Sequence, residues 1–149
     1  MTRDGCGGTN ERPHVPRPPS TALVAVVDTC SSRQRLLAAA LYALGCRVLV
    51  IECDSLVGAS VAAQIAAGMP DVIVWQVDSS QAGAPLRQLL TSDGLCGAGV
   101  VVTTPDLVEA ASLLAGAPVH LLAAPFTPVG LMNAVGAAYE HRPHSTSVS

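Results

Sequence analysis

The chain has 149 residues, half of them apolar and only 13% charged, with a net charge of −3, which makes one domain with room for a proper core. Eight Lys and Arg without a cluster, beside one Trp, two Tyr and one Phe, exclude a nucleic-acid surface. No apolar run approaches the ~20 residues that span a bilayer, and the first 20 residues lack the apolar core of a secretion signal, which excludes a membrane role and predicts a cytoplasmic protein.

Residues 1–20 are rich in Gly, Pro and Arg without periodicity and are predicted to form a disordered tail in which Arg3, Arg12 and Arg17 are solvated. ALVAVVD over 22–28 is continuous, apolar and β-branched, as expected of a strand covered on both faces. SSRQRLLAAALYALG over 31–45 reads as an amphipathic helix. Ser31 or Ser32 caps it, Arg33, Gln34 and Arg35 lie in its first turn, residues 36, 37, 40, 41 and 44 form its apolar face, and Gly45 ends it. RVLVIEC (47–53) is the second strand, followed by a helix over 54–68 capped by Asp54 or Ser55 and stopped at Gly68. DVIVW (71–75) is the third strand and PLRQLLTSD (85–93) a short helix. AGVVVTT (98–104) is the fourth strand, and PDLVEAASLLAG (105–116) a helix with its proline in the first turn. VHLLAA (119–124) and TPVGLMNAVGAAYEH (127–141) give the last strand and helix, and residues 142–149 should fray. Five strands alternating with five helices predict an α/β domain over 21–141, a single doubly wound sheet of five parallel strands with helices on both faces.

Cys6, Cys30, Cys46, Cys53 and Cys96 are odd in number, without a CxxC or a paired histidine spacing, so neither a disulfide framework nor a zinc site is predicted. Cys46 and Cys53 flank the second strand as small core residues. In an open parallel sheet, chemistry gathers at the carboxyl ends of the strands. That selects Asp28 and Thr29, Glu52 and Cys53, Gln76 to Asp78, Thr103 and Thr104, and Ala124 with Pro125. Period-two alternation puts Gln76 and Asp78 on one face.

These five βα units, with VVD ending the first strand, resemble the receiver domain of two-component response regulators. LVAVVDT through LYALGCRV keeps the family spacing. AAGMPDVIVWQ is similar to the family's approach to its phosphorylated aspartate, VVVTT to the fourth strand with its switch hydroxyl, and AGAPVHLLAAPF to the stretch with Lys-Pro-Phe before the last helix. The resemblance runs over residues 21–141 and implies a flavodoxin- or CheY-like (βα)5 fold in phosphorelay signal transduction. The family's reaction moves a phosphoryl group from a histidine kinase to an aspartate. It uses a carboxylate nucleophile, a magnesium ion held by carboxylates and a charge-balancing lysine.

Carried over residue by residue, Asp28 matches the first acidic position, and Thr29 stands where a second metal-holding aspartate is usual. Gln76 falls at the phospho-acceptor, and Thr103, with Thr104 beside it, at the switch. His120 takes the place of the switch aromatic if one extra residue is allowed before Pro125. Ala124 replaces the lysine before that cis-type proline. An amide cannot form an acyl phosphate and alanine supplies no charge. The resemblance with these losses implies a pseudo-receiver: a stand-alone domain without an output domain, neither enzyme nor cofactor binder, which meets a protein partner of a signalling pathway without phosphorylation. Gly130, Ala134, Ala137 and Ala138 on the last helix, near Val129 and Met132, form a small-residue stripe suited to that partner or to a homodimer. Packing of Leu131, Val135 and Ala138 against the sheet competes for the same helix.

Three other readings stay open. Asp78 could accept phosphate in place of Gln76, with Mg2+ held weakly at Asp28. The vacated pocket between Asp28, Gln76 and Thr103 could take a small ligand. Cys30, after the first strand and at a helix start, resembles the nucleophile of low-molecular-weight phosphatases and phosphocarriers. The phosphatase loop, however, places Arg six residues on, where this chain has Leu36, and SSRQR has none of its glycines. Structural roles compete at each position: Asp28 bonded to the next loop, Thr103 and Thr104 ending a strand and capping a helix, His120 and Trp75 filling the core.

Overall fold

The computed structural model describes residues 22–51, 58–77, 80–91 and 94–142. In chain order the elements are β1 (Leu23–Val27), α1 (Ser31–Ala43), β2 (Arg47–Ile51), α2 (Gly58–Gly68), β3 (Val72–Gln76), α3 (Ser80–Thr91), β4 (Gly99–Thr104), α4 (Leu107–Leu113), β5 (Val119–Ala123) and α5 (Pro128–Glu140). The strands form one parallel sheet in the order β2-β1-β3-β4-β5. This is the predicted doubly wound α/β architecture. The order reverses direction between β1 and β3, so the crevice beyond their carboxyl ends is where this topology opens a site.

Alternation along the strands sorts the core into two layers. Val24, Val26, Val72, Val74 and Val101 face α1 and α5, meeting Leu37, Leu41, Leu131 and Val135. Ala25, Val27, Ile73, Trp75, Val100 and Val102 face the other way, onto Val61 and Ile65 of α2 and Leu86 and Leu89 of α3. The central strands β3 and β4 are buried throughout, whereas the edge strand β2 exposes Arg47 and Val50. Asp71 fixes the amino end of the sheet. Its carboxylate accepts from Leu23 N–H at 2.9 Å, its own N–H donates to Leu23 O, and its carbonyl accepts from Gly99 N–H.

α5 lies so close to β4 that a Cβ on Gly99 would stand 2.1 Å from the Ala138 carbonyl oxygen. Only hydrogen in place of a side chain permits this approach. Leu131, Val135 and Ala138 are fully enclosed as a result.

Several boundaries differ from the expectation. The N-cap position of α1 is Cys30 and makes no side-chain cap, so Ser31 already lies in the helix. That helix buries Gln34, Leu37 and Leu41 and leaves Leu36 74% exposed. Its abundance of alanine gives periodicity little to fix a face with. α3 begins at Ser80, five positions before the expected start at 85, and encloses Pro85. α4 is shorter than 105–116. Pro105 stays outside, and Asp106 caps it by accepting from Glu109 N–H at 3.0 Å. The tail 1–20, Asp54 and Ser55 lie outside the described residues. No helix among the described residues is long and apolar enough to cross a membrane.

Candidate functional site

The carboxyl ends of β1, β3 and β4 bring Asp28, Gln76 and Thr103 together. Val27 pairs with Trp75, so Asp28 leaves β1 level with Gln76, and Gln76 pairs with Thr103. All three are buried polar residues, which requires each to find a partner. The Thr103 hydroxyl donates to Gln76 Oε1 in a short hydrogen bond, and Val77 N–H donates to Thr103 O at 2.8 Å, holding the two strands in step. Thr104 is engaged differently. Its hydroxyl accepts from Asp106 N–H at 3.1 Å and turns the chain into α4.

Asp28 is paired within its own loop. Oδ1 accepts from Cys30 N–H at 2.9 Å and from Arg33 Nη2 at 2.7 Å, and Oδ2 accepts from Arg33 Nε at 2.5 Å. This is a two-pronged guanidinium–carboxylate pair in which the carboxylate is enclosed and the arginine side chain is 42% exposed. Sequence reasoning placed Arg33 and Gln34 only among the polar residues of a first turn. Gln34 is in fact buried, and its Nε2 donates to Val26 O at 2.8 Å and to Ile51 O at 2.7 Å, tying α1 to the ends of β1 and β2. The signal was present in the spacing of 34, 37 and 41, one helical face.

Thr29 and Cys30 are exposed. The Arg33 backbone N–H and, after it, the Ser32 hydroxyl hold the Cys30 thiol below its ordinary pKa. Burial pushes Cys46 up. Ala124 follows β5 and donates its N–H to Thr104 O at 2.8 Å, and the Ala124–Pro125 peptide is cis. His120 is not at the Thr103 level: it pairs with Val101, while Leu122 pairs with Thr103. His120 instead stacks on His141 at the end of α5, with ring centroids 5.5 Å apart. Burial first, and the charge of His141 second, lower its pKa. On α5, Gly130, Ala134 and Ala137 are partly buried and Ala138 is enclosed. Trp75 is fully buried, and its Nε1 is the one enclosed side-chain polar atom without a partner among the described residues. Glu52, Cys53 and Asp78 lie outside those residues.

No protein-family model matches the sequence, and no curated protein matches it. Solved structures do match. The chemotaxis protein CheY4 of Vibrio cholerae is 18% identical with a TM-score of 0.62, over 79% of this chain and 98% of that one. The receiver domain of the PhyR response regulator of Erythrobacter litoralis is 15% identical with a TM-score of 0.63, over 86% and 97%. A response regulator receiver domain protein from Clostridium thermocellum is 19% identical with a TM-score of 0.65, over 80% and 94%. The chain therefore has the flavodoxin-like fold of response regulator receiver domains.

The magnesium ion implied by the receiver resemblance can be tested against these residues. Magnesium needs an octahedron of hard oxygens at about 2.0–2.1 Å. Both Asp28 oxygens already accept from a guanidinium, which would lie a few ångströms from the ion and repel it. Thr29 brings no charge, and Gln76 Oε1 is engaged by Thr103. Among the described residues, no group of three His, Cys, Asp or Glu could hold a metal. The described residues do not fit the ion.

Proposed function

We propose that this chain is a pseudo-receiver of response-regulator signalling, which acts by protein–protein contact without being phosphorylated. The observation that carries this reading is the mutual satisfaction of the pocket's polar groups, Gln76 with Thr103 and Asp28 with Arg33. In a working receiver, as the family resemblance has it, the switch hydroxyl waits for a phosphoryl group. Here the Gln76 amide gives that hydroxyl a permanent, uncharged partner. The protein is then neither an enzyme nor dependent on a cofactor, and it works in the cytoplasm. Its contact face lies on α5, where Val129 is 68% exposed, an apolar side chain that gains from a partner. A homodimer is the simplest form of that contact.

The reading is tested by amide NMR spectra recorded with and without acetyl phosphate and magnesium, alongside solution mass at micromolar concentration. Unchanged signals for Gln76, Thr103 and α4, with one dimeric mass in both conditions, are expected. Phosphodonor-dependent shifts at Thr103, or a dimer that forms only with the donor, would overturn it.

A further inference from the structure

We infer that Arg33 is the built-in cation of this pocket: it occupies the coordination sphere of Asp28 in place of a divalent ion, so the site is charge-balanced without metal, and removing Arg33 leaves a lone carboxylate that binds such an ion only weakly, yet more tightly than the wild type does. The enclosed Asp28 carboxylate needs a counter-charge, and the first turn of α1 supplies it from five residues along the chain. The guanidinium fork contacts both oxygens, at 2.5 and 2.7 Å, and Cys30 N–H takes a further lone pair. Ion and fork compete for the same atoms. A fixed +1 charge beside a would-be +2 ion is repulsive at any dielectric constant a protein offers. The same fork bridges the end of β1 to α1, so the loop 28–33 is held by a covalently attached cation and not by one drawn from solution. Gln34, the next residue, anchors the same helical turn to Val26 O and Ile51 O, which fixes Arg33 where the fork can close.

This inference deepens the phosphorylation-independent reading and rests on it only for what the pocket is used for. The test is binding of Mn2+ alone, as a paramagnetic stand-in for Mg2+, read from the free-ion electron paramagnetic resonance signal. Four chains are compared: wild type, Arg33→Gln, Arg33→Lys, and Arg33→Gln combined with Asp28→Asn. Arg33→Gln keeps a hydrogen-bond donor and loses the charge. It should bind Mn2+ at least about tenfold more tightly than wild type, and the added Asp28→Asn change should abolish the gain. Arg33→Lys should behave as wild type. Wild-type binding as tight as that of Arg33→Gln, or no gain on removing the charge from a folded variant, would overturn the inference. If Arg33→Gln does not fold, Arg33→Met takes its place with the same expected gain and the same overturning result, and any wild-type binding lost with Asp28→Asn also contradicts the inference. A phosphoryl adduct on the wild type would remove the phosphorylation-independent reading and leave this metal result standing.

Discussion

At Gln76, where the receiver resemblance implies an aspartate, an amide sits beside the Thr103 hydroxyl in one buried pair without any charge to balance. The Gln76–Thr103 bond is buried on both sides, so its two halves should be strongly coupled. Thr103→Val leaves Gln76 Oε1 without its donor and should cost about 1–3 kcal/mol in denaturant unfolding. Adding Gln76→Leu should recover much of that loss, and a purely additive double variant would contradict the pairing. His120 gives a pH prediction. Burial and His141 lower its pKa, so the unfolded chain binds this proton more readily. The stability from neutral His120 is therefore complete above the unfolded value of about 6.5 and is lost as pH falls toward the lower folded value. Thermal midpoints measured from pH 7.5 to 5 should fall less steeply in His120→Leu than in wild type. At this scale the sequence revealed Asp28, Gln76 and Thr103, because strand ends are fixed by β-branched runs that end in polar residues. It did not reveal the Arg33 fork. A first-turn arginine looks the same whether it meets water or a carboxylate five residues back, and only the backbone turn through Thr29 and Cys30 decides between them.

Among the elements, α5 is the one whose role the sequence left divided between sheet packing and a free surface. The structure resolves Ala138: it presses on β4 and is enclosed, while Gly130, Ala134 and Ala137 stay partly accessible. The close approach gives a sharp prediction. Gly99→Ala would place a methyl 2.1 Å from the Ala138 carbonyl oxygen, and backbone cannot yield as a flexible side chain does. The variant should lose about 1–3 kcal/mol by denaturant titration, and wild-type stability would show that α5 is not seated there. Strands were legible almost to the residue because unbroken Val and Ile runs have few other uses. Helix starts were less so. Pro85 looks like a first-turn proline yet lies inside α3, since residues before it had no apolar period to mark them as helical. Asp106, not Pro105, starts α4 because an aspartate side chain reaches the free N–H of Glu109 and proline has no side-chain acceptor.

The whole molecule combines a standard sheet order with a pocket in which, among the described residues, Asp28 is paired with Arg33 and Gln76 with Thr103. The order β2-β1-β3-β4-β5 is among those that five alternating units and right-handed crossovers allow: the class of fold was readable from the alternation, and the order only through the receiver resemblance. The state of the pocket was only half readable, since the departures from the receiver pattern at Gln76 and Ala124 show in the sequence whereas the internal pairs Gln76–Thr103 and Asp28–Arg33 do not. Intact-mass spectrometry after incubation with acetyl phosphate and magnesium, on the wild type and on Asp78→Asn, decides whether this pocket is silent toward phosphoryl transfer. No phosphoryl adduct is expected on either chain. An adduct on the wild type that disappears in Asp78→Asn would contradict that expectation and make this a working receiver with a displaced acceptor.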